Sequence, residues 1–354
     1  MRYIGNKENI VEQIYNILIQ NGVSGKTFFD FFAGTTSVSR FFKSKGYSIS
    51  SSDFLYMSYC LQKSYIENNA EPTFDKIISF IPNNCSNSLF QSPLDLVIGY
   101  LNNLEPQKGF IYRNYTPEGT KELSIPRMYF SNENGQRIDA IRQQIETWYK
   151  DGNLLESEYF ILISCLIETV SFYSNVSGVY AAFQKKWDPR AIKTLELRPI
   201  AIYNNNLINK VYNIDSMKLL DEIDVDILYL DPPYNERQYL PNYHVLETIA
   251  KYDSPDIHGV TGMRTYNDQK SRFCNSKTAL EDLALISEKA RFKSLVLSYN
   301  SEGIMPQDSI IDVLSQFGSV KVEQFEYMRF KSNNNGSARN KKHVFEQVYI
   351  LQKD

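Results

Sequence analysis

The chain has little cysteine: Cys60, Cys85, Cys165 and Cys274 are scattered through 354 residues without a C-x-x-C pair, so neither a zinc module nor a disulfide framework is readable. The three histidines lie far from them in sequence, and no metal site is expected. An excess of basic charge is also missing. Lys and Arg number 38 against 41 Asp and Glu, a formal net charge of −3, which excludes binding to nucleic acid through a whole-molecule positive field. Contact with a polyanion has to be local. The most apolar stretch, Tyr159 to Phe172, is broken by Glu168 and falls short of the roughly 20 residues a bilayer span requires. The first residues lack the charged, apolar and small-residue succession of a signal peptide, so a cytoplasmic location with reduced thiols is expected. Heptads, internal repeats and long low-complexity tracts are absent. What remains is a folded, aromatic-rich chain with 25 Tyr and 21 Phe, of a length that suggests about two domains.

Residues 8–20 space Ile10, Ile14, Ile17 and Leu18 along one helical face. A strand from Thr27 to Phe32 should follow, ending at Ala33-Gly34-Thr35-Thr36 and leading into a helix from Ser37 to Lys45 that stops at Gly46. Tyr47 to Ser52 reads as a second strand with Asp53 at its end. This β-α-β unit opens on a glycine turn, which exposes backbone N–H groups and a helix N-terminus at the strands' carboxyl ends. Asp53 lies about 20 residues past the turn, where an acidic residue reads ribose hydroxyls in nucleotide-binding folds. Gly34 alone would serve only a tight turn; with Asp53 it points to a nucleotide-like ligand.

From about 72 to 205 the pattern loosens. Eight prolines, from Pro72 and Pro82 through Pro93, Pro106, Pro117 and Pro126 to Pro189 and Pro199, punctuate Asn- and Ser-rich segments, with helices expected at 136–150 and 155–173. This region reads as an insertion. Beyond it come strands at 210–214, 227–230 and 295–300, helices at 243–251 and 306–316, and a pair of strands at 319–327 and 344–351. The expected fold is therefore α/β, a doubly wound and mostly parallel sheet with an antiparallel hairpin at the carboxyl end. Both chain ends, 1–72 and 206–354, should build that domain, with 73–205 inserted as a second.

The apolar run Ile227 to Leu230 ends on Asp231-Pro232-Pro233-Tyr234. A planar exocyclic amine is a poor nucleophile because its lone pair is delocalised into its ring. A carboxylate and a carbonyl that each accept one of its N–H groups can draw it toward tetrahedral geometry. Asp231 and the Pro232 carbonyl are such a pair, and proline's fixed φ holds that carbonyl still. Tyr234 would stack on a base taken out of the duplex. The plainer reading is a proline-terminated strand with a capping aspartate and a buried tyrosine.

In combination these segments resemble the S-adenosylmethionine-dependent adenine-N6 DNA methyltransferases in which the cofactor motifs precede the recognition region and the catalytic motif follows it. The resemblance runs from Met1-Arg2-Tyr3-Ile4-Gly5-Asn6-Lys7 through Asp30 to Thr35 and Asp53 to Asp231-Tyr234. It includes Tyr129-Phe130-Ser131, Asn134, Arg137-Ile138-Asp139, Val179-Tyr180 and Lys185 to Arg190 of the recognition region, like that of bacterial restriction-modification members. It implies a Rossmann-like methyltransferase domain with an inserted target-recognition domain. Tyr3, Gly5 and Lys7 would line the methionine end of S-adenosylmethionine, with Lys7 on its carboxylate. Asp30, Phe32, Ala33, Gly34 and Thr35 would pass beside the methionine moiety, Asp53 would take the ribose, and Asp215 would lie near the cofactor's adenine. Asn6 as a helix cap and Asp215 as a turn cap are the structural alternatives. His244 is expected to be structural. The turn lacks the second glycine of many relatives, so Thr35 or Thr36 must fit there.

Two basic clusters offer phosphate contacts: Lys185, Lys186, Arg190, Lys193 and Arg198, and later Arg329, Lys331, Arg339, Lys341 and Lys342. Of these, Lys185, Lys186, Arg190, Arg339 and Lys341 are the candidate DNA-binding residues. The expected partner is double-stranded DNA, with a cognate restriction endonuclease as a further candidate, no membrane, and a cytoplasmic, nucleoid-associated bacterial setting. Two rivals remain open: a methyltransferase acting on cytosine N4, RNA adenine or protein glutamine, and a DNA-binding specificity subunit without catalysis.

Overall fold

The computed structural model describes residues 3–82, 92–328 and 343–353. In chain order the main elements are α1 (Val11–Gln20), β1 (Thr27–Asp30), α2 (Ser37–Ser44), β2 (Ser48–Ser52), α3 (Tyr56–Gln62), α4 (Pro93–Asn102), α5 (Phe110–Tyr115), α6 (Asn132–Lys150) and α7 (Glu156–Tyr173). There follow β3 (Lys210–Tyr212), β4 (Asp224–Leu230), α8 (Leu240–Lys251), β5 (Ile257–His258), β6 (Met263–Arg264), α9 (Ser276–Lys289), β7 (Arg291–Asn300), α10 (Gln307–Leu314), β8 (Ser319–Met328) and β9 (His343–Gln352).

These elements form two compact units. The first is a sheet unit of Ile4–Gln62, Asn204–Tyr239 and Asn267–Asp354. Its seven strands run β3-β2-β1-β4-β7-β9-β8. From β3 to β7 every pairing is parallel, whereas β9 runs antiparallel to both β7 and β8. The expected mostly parallel sheet with an antiparallel hairpin is the fold found. β1 and β4 read as continuous apolar runs because both faces of the sheet are covered. On one face Phe29, Phe31, Leu228, Leu230, Leu295 and Leu297 pack with Leu283 and Ile286 of α9 and with Ile310 and Leu314 of α10. On the opposite pleat Phe28 stacks on Phe42 of α2 at 4.1 Å. The start of β1 is tied to β4 by Asp226, whose Oδ2 accepts from the Lys26 N–H at 2.7 Å and the Thr27 N–H at 3.0 Å. A Cβ at Gly25 would stand 2.2 Å from Asp226, so this junction needs glycine.

The second unit is mostly helical: Tyr3, Lys63–Tyr203 and Leu240–Tyr266. Its centre is α7, buried nearly all round through Ile161, Leu162, Ile163, Cys165, Leu166 and Ile167, as expected of a helix that is apolar on every face. Against the expected division at 72/73, this unit already begins at Lys63, and it also takes Leu240–Tyr266 from beyond the Asp-Pro-Pro-Tyr segment. The reason lies in α8, where Tyr243, Val245, Leu246 and Ile249 are fully buried. Its carboxyl end is capped by buried Arg142 of α6, which donates to the carbonyls of Ile249 at 3.0 Å and Ala250 at 3.1 Å. Among the described residues no helix is long and apolar enough to cross a membrane.

Candidate active site

The strand order puts the site where a doubly wound sheet reverses. From β1 the chain builds outward through β2 to β3, and then β4 starts the other side, adjacent to β1. Ligands of such sheets bind beyond the carboxyl ends of the strands at this switch point. Asp30 ends β1 and Asp231 follows β4, with the Phe31 N–H donating to the Tyr229 carbonyl at 2.9 Å between them.

Beyond β1 the turn is held at both ends. Ala33 donates to the Ser52 carbonyl at 3.1 Å, and the Gly34 N–H donates to Asp53 Oδ2 at 2.9 Å. The second Asp53 oxygen accepts from the Leu55 N–H at 2.8 Å. Gly34 has φ +49°, and the position without a second glycine is filled by Thr36 in the left-handed region at φ +63°. A threonine there costs about 1–2 kcal/mol. It is fully buried, its N–H reaches the Ala33 carbonyl at 2.7 Å, and its hydroxyl donates to the Thr35 carbonyl at 2.6 Å. The amino-terminal segment is laced to the same turn, since Ser37 Oγ donates to Asn6 Oδ1 at 2.6 Å and lies 2.9 Å from Thr35 Oγ1. Asn6 Oδ1 also accepts from the Glu8 N–H at 2.9 Å, a local turn and not the expected helix cap, because α1 begins at Val11 with Ile10 at its N-cap.

Asp30 is buried and accepts from Ser39 Oγ at 2.6 Å. Burial pushes its carboxyl up to about 7, and the charges of Asp231 and Asp53 add to that against the opposing hydrogen bonds. Three carboxylates thus crowd the ends of three adjacent strands, a field that favours a cationic ligand.

Past β4, Tyr234 Oη donates to Asp231 Oδ1 at 2.7 Å. The Lys7 ammonium lies 3.3 Å from the same oxygen, 2.5 Å from Glu346 Oε1, and donates to the Tyr234 hydroxyl. Glu346, on β9, is fully buried and also receives the Ser298 hydroxyl from β7. Gly5 at φ +78° lets the segment before Lys7 pass close to this cluster: a Cβ there would stand 3.2 Å from Tyr239 Oη and 3.7 Å from the Tyr234 ring. Tyr234 is fixed from behind by Tyr299, edge-on at 5.6 Å, and its carbonyl accepts from the Ile304 N–H at 3.0 Å. Burial pushes Asp231 up to about 6, with Lys7 opposing and Glu346 reinforcing, so the carboxylate is mostly ionised and able to accept at neutral pH. Burial would lower the Lys7 ammonium, but Asp231 and Glu346 beside it hold it above its ordinary value.

The remaining candidates divide. Phe32 packs edge-on against Phe31 at 5.0 Å and Phe273 at 5.1 Å. Asp215 caps the turn Ser216–Leu219, its Oδ1 accepting from the Met217 N–H at 3.0 Å. Tyr3 belongs to the helical unit, stacked on Tyr243 at 4.1 Å. His244 is buried there with Nε2 3.0 Å from the Tyr180 carbonyl, and burial lowers it to about 4, so it stays neutral. Lys185 and Lys186 are exposed. Arg190 instead faces Asp188, with Nε 3.0 Å from Oδ1 and a second bond from Nη2 to Oδ2. Arg339 and Lys341 lie outside the described residues.

Several polar residues of the helical unit are scaffolding. Asn134 donates to the Ala191 and Lys193 carbonyls at 3.1 and 2.9 Å and accepts from the Leu195 N–H at 2.8 Å. Asp139 caps the start of α5, accepting from the N–H groups of Ile111 at 2.9 Å and Tyr112 at 2.8 Å. Asn175 pins the loop that carries the lysines, donating to the Met128 and Gln184 carbonyls, both at 3.0 Å, and accepting from the Asp188 N–H at 2.9 Å.

Sequence reasoning passed over Glu346, Ser298 and Ser37. A carboxylate inside the apolar run Val344 to Leu351 was the available signal for Glu346, because a buried charge requires a partner. Among the described residues no group of three or more His, Cys, Asp or Glu could hold a metal ion.

A switch point built from these two strand ends is that of the Rossmann-like methyltransferases. The family model described as D12 class N6 adenine-specific DNA methyltransferase matches residues 3–312, and the chain belongs to this family. It is similar to the type II methyltransferase M.FokI of Planomicrobium okeanokoites, 38% identical over 361 residues that cover 100% of this chain and 53% of that protein. The modification methylase StsI of Streptococcus sanguinis is 34% identical over 360 residues, covering 100% of this chain and 52% of its own. With the type II methyltransferase M.NlaIII of Neisseria lactamica the identity is 35% over 357 residues, 100% of this chain and 99% of that protein. The chain thus spans about half the length of the first two and nearly all of the third.

Proposed function

We propose that the chain is a sequence-specific DNA methyltransferase that transfers a methyl group from S-adenosylmethionine to N6 of an adenine flipped out of duplex DNA, as the modification half of a restriction-modification system. The observation that carries this reading is the Asp231 carboxylate, hydrogen-bonded by Tyr234 at the switch point of the sheet. Membership in the family and similarity to modification methylases support it.

The residues fit a sulfonium cofactor. The charges of Asp231 and Asp53 raise the cost of ionising Asp30, and a bound cation relieves it. S-adenosylmethionine supplies an electrophilic methyl group, so the protein's part is positioning and electrostatics. Asp53 takes the ribose hydroxyls, and the backbone of Phe32 to Thr35 borders the methionine moiety. Asp231 and the Pro232 carbonyl accept the two N–H groups of the target amine, while Tyr234 stacks on the base. Tyr3, Gly5, Lys7, Pro233 and Asp215 complete the proposed site. We assign cofactor binding and transfer to the sheet unit and target recognition to the helical unit, with Lys185 and Lys186 on phosphate.

The test is incubation with labelled S-adenosylmethionine and unmethylated genomic DNA, followed by nucleoside analysis and modification-sensitive sequencing. Labelled N6-methyladenine at one recurring sequence is expected. Label in N4-methylcytosine, RNA or protein would move the substrate, and failure to bind the cofactor would favour a non-catalytic specificity subunit.

A further inference from the structure

Glu346 has no role in the reaction derived above, yet it is the most deeply buried charge at the site. It projects from β9, which runs antiparallel to β7, and is paired in register with Asn300. Among the described residues its buried Oε2 has no hydrogen-bond partner, and Oε1 takes the interactions with Ser298 and Lys7. A buried carboxylate that relies on one oxygen depends heavily on a neighbouring cation. The Lys7 ammonium sits closer to Glu346, at 2.5 Å, than to Asp231, at 3.3 Å.

That difference matters because the Asp231 carboxylate is the acceptor proposed for the incoming amine, and Lys7 competes for it. An ammonium is itself a good N–H donor. Left without Glu346, Lys7 would settle on the acceptor and mimic the substrate.

We propose that Glu346 is a positioning residue that draws the Lys7 ammonium off Asp231, so that the acceptor oxygen stays available to the target amine while the positive charge remains beside it. The inference rests on the methyltransferase reading for its kinetic consequence, but not for the electrostatic one. Among the described residues the groups that face Asp231 are Lys7, Tyr234 and Glu346, with Tyr229 on its own strand, Tyr327 on β8 and Asp30 on β1 also within its field. Among them Lys7 alone is cationic, so the position of its charge governs the ionisation of the carboxylate.

Two variants test this, Glu346→Gln and the double change Glu346→Gln with Lys7→Met, the second removing the ammonium together with the charge that holds it and leaving Asp231 without its cation. The Asp231 carboxyl is titrated by carbon-13 NMR without substrate, assigned with Asp231→Asn. Methyl transfer to unmethylated genomic DNA is then measured at saturating S-adenosylmethionine. In Glu346→Gln the midpoint should fall by about one pH unit, because a negative neighbour is lost and the ammonium closes in. KM for DNA should rise about tenfold, the order of one hydrogen bond to a charged group, with kcat changed less. In the double variant the midpoint should rise again, because the cation that held the carboxylate ionised is gone. An unchanged midpoint in folded Glu346→Gln would overturn the proposal, as would a KM for DNA that does not rise. A shifted midpoint in a protein whose wild type transfers no methyl to DNA would instead sink the methyltransferase reading and leave Glu346's hold on Lys7 standing.

Discussion

Asp30→Asn should make the protein more stable at pH 8 and remove part of its pH dependence. The Asp30 carboxyl is raised from an ordinary 3.8 to about 7, chiefly by burial. A raised acid pKa means that the folded state holds its proton more tightly than the unfolded chain, so stability falls as pH rises between the two values. About three units at roughly 1.4 kcal/mol each give about 4 kcal/mol, fully felt above pH 7 and absent below about pH 4. Asparagine keeps the shape and the acceptor for Ser39 Oγ but cannot ionise. Urea denaturation of both proteins at half-unit steps from pH 4.5 to 8.5 reads the difference directly. Wild type should lose stability to about pH 7 and then level off, whereas Asp30→Asn should keep the shallower fall contributed by Asp231 and Asp139, each raised to about 6, partly offset by the rise from His244, lowered to about 4. Equal slopes for the two proteins would refute the assignment of a buried, reluctant charge to Asp30.

Asp231→Ala should abolish methyl transfer while leaving S-adenosylmethionine affinity largely intact by calorimetry; an active variant defeats the mechanism. Replacing Lys185 and Lys186 with Gln should reduce the slope of log affinity for DNA against log salt by about 2, one counterion for each phosphate no longer neutralised. An unchanged slope removes that patch from the interface. Asn175→Ala frees the loop bearing those lysines and should weaken DNA binding in a filter assay while cofactor affinity holds. Arg142→Met strips the cap from the Ile249 and Ala250 carbonyls and should cost about 3 kcal/mol, visible as a lowered Tm.

The sheet was largely legible because its signals are local. Phe28 to Phe31 and Ile227 to Leu230 are runs of strand length, each followed by a segment that cannot continue a strand. The spacing from Gly34 to Asp53 survives in the structure as one hydrogen bond between them. The helical unit was less readable. Its expected limits missed Leu240–Tyr266, since α8 carries no local mark of the partners that bury it. Asn134 and Asp139 were visible as motif members, but only the folded chain shows them holding backbone. Arg190's partner was at least within reach of the sequence, with Asp188 two residues away. Glu346 is the harder case: its partner Lys7 lies 339 positions distant, beyond the reach of any periodicity.

That separation bears on how the protein is made. The carboxylate that seats Lys7 leaves the ribosome after β1 to β8, on the strand that slots between β7 and β8. A nascent chain can therefore assemble β1 to β4 and the glycine turn while its reactive corner is still electrostatically incomplete, and closing so long a loop is slow. Partly synthesised chains hold the half of the machinery proposed to bind the nucleotide in advance of a finished amine acceptor.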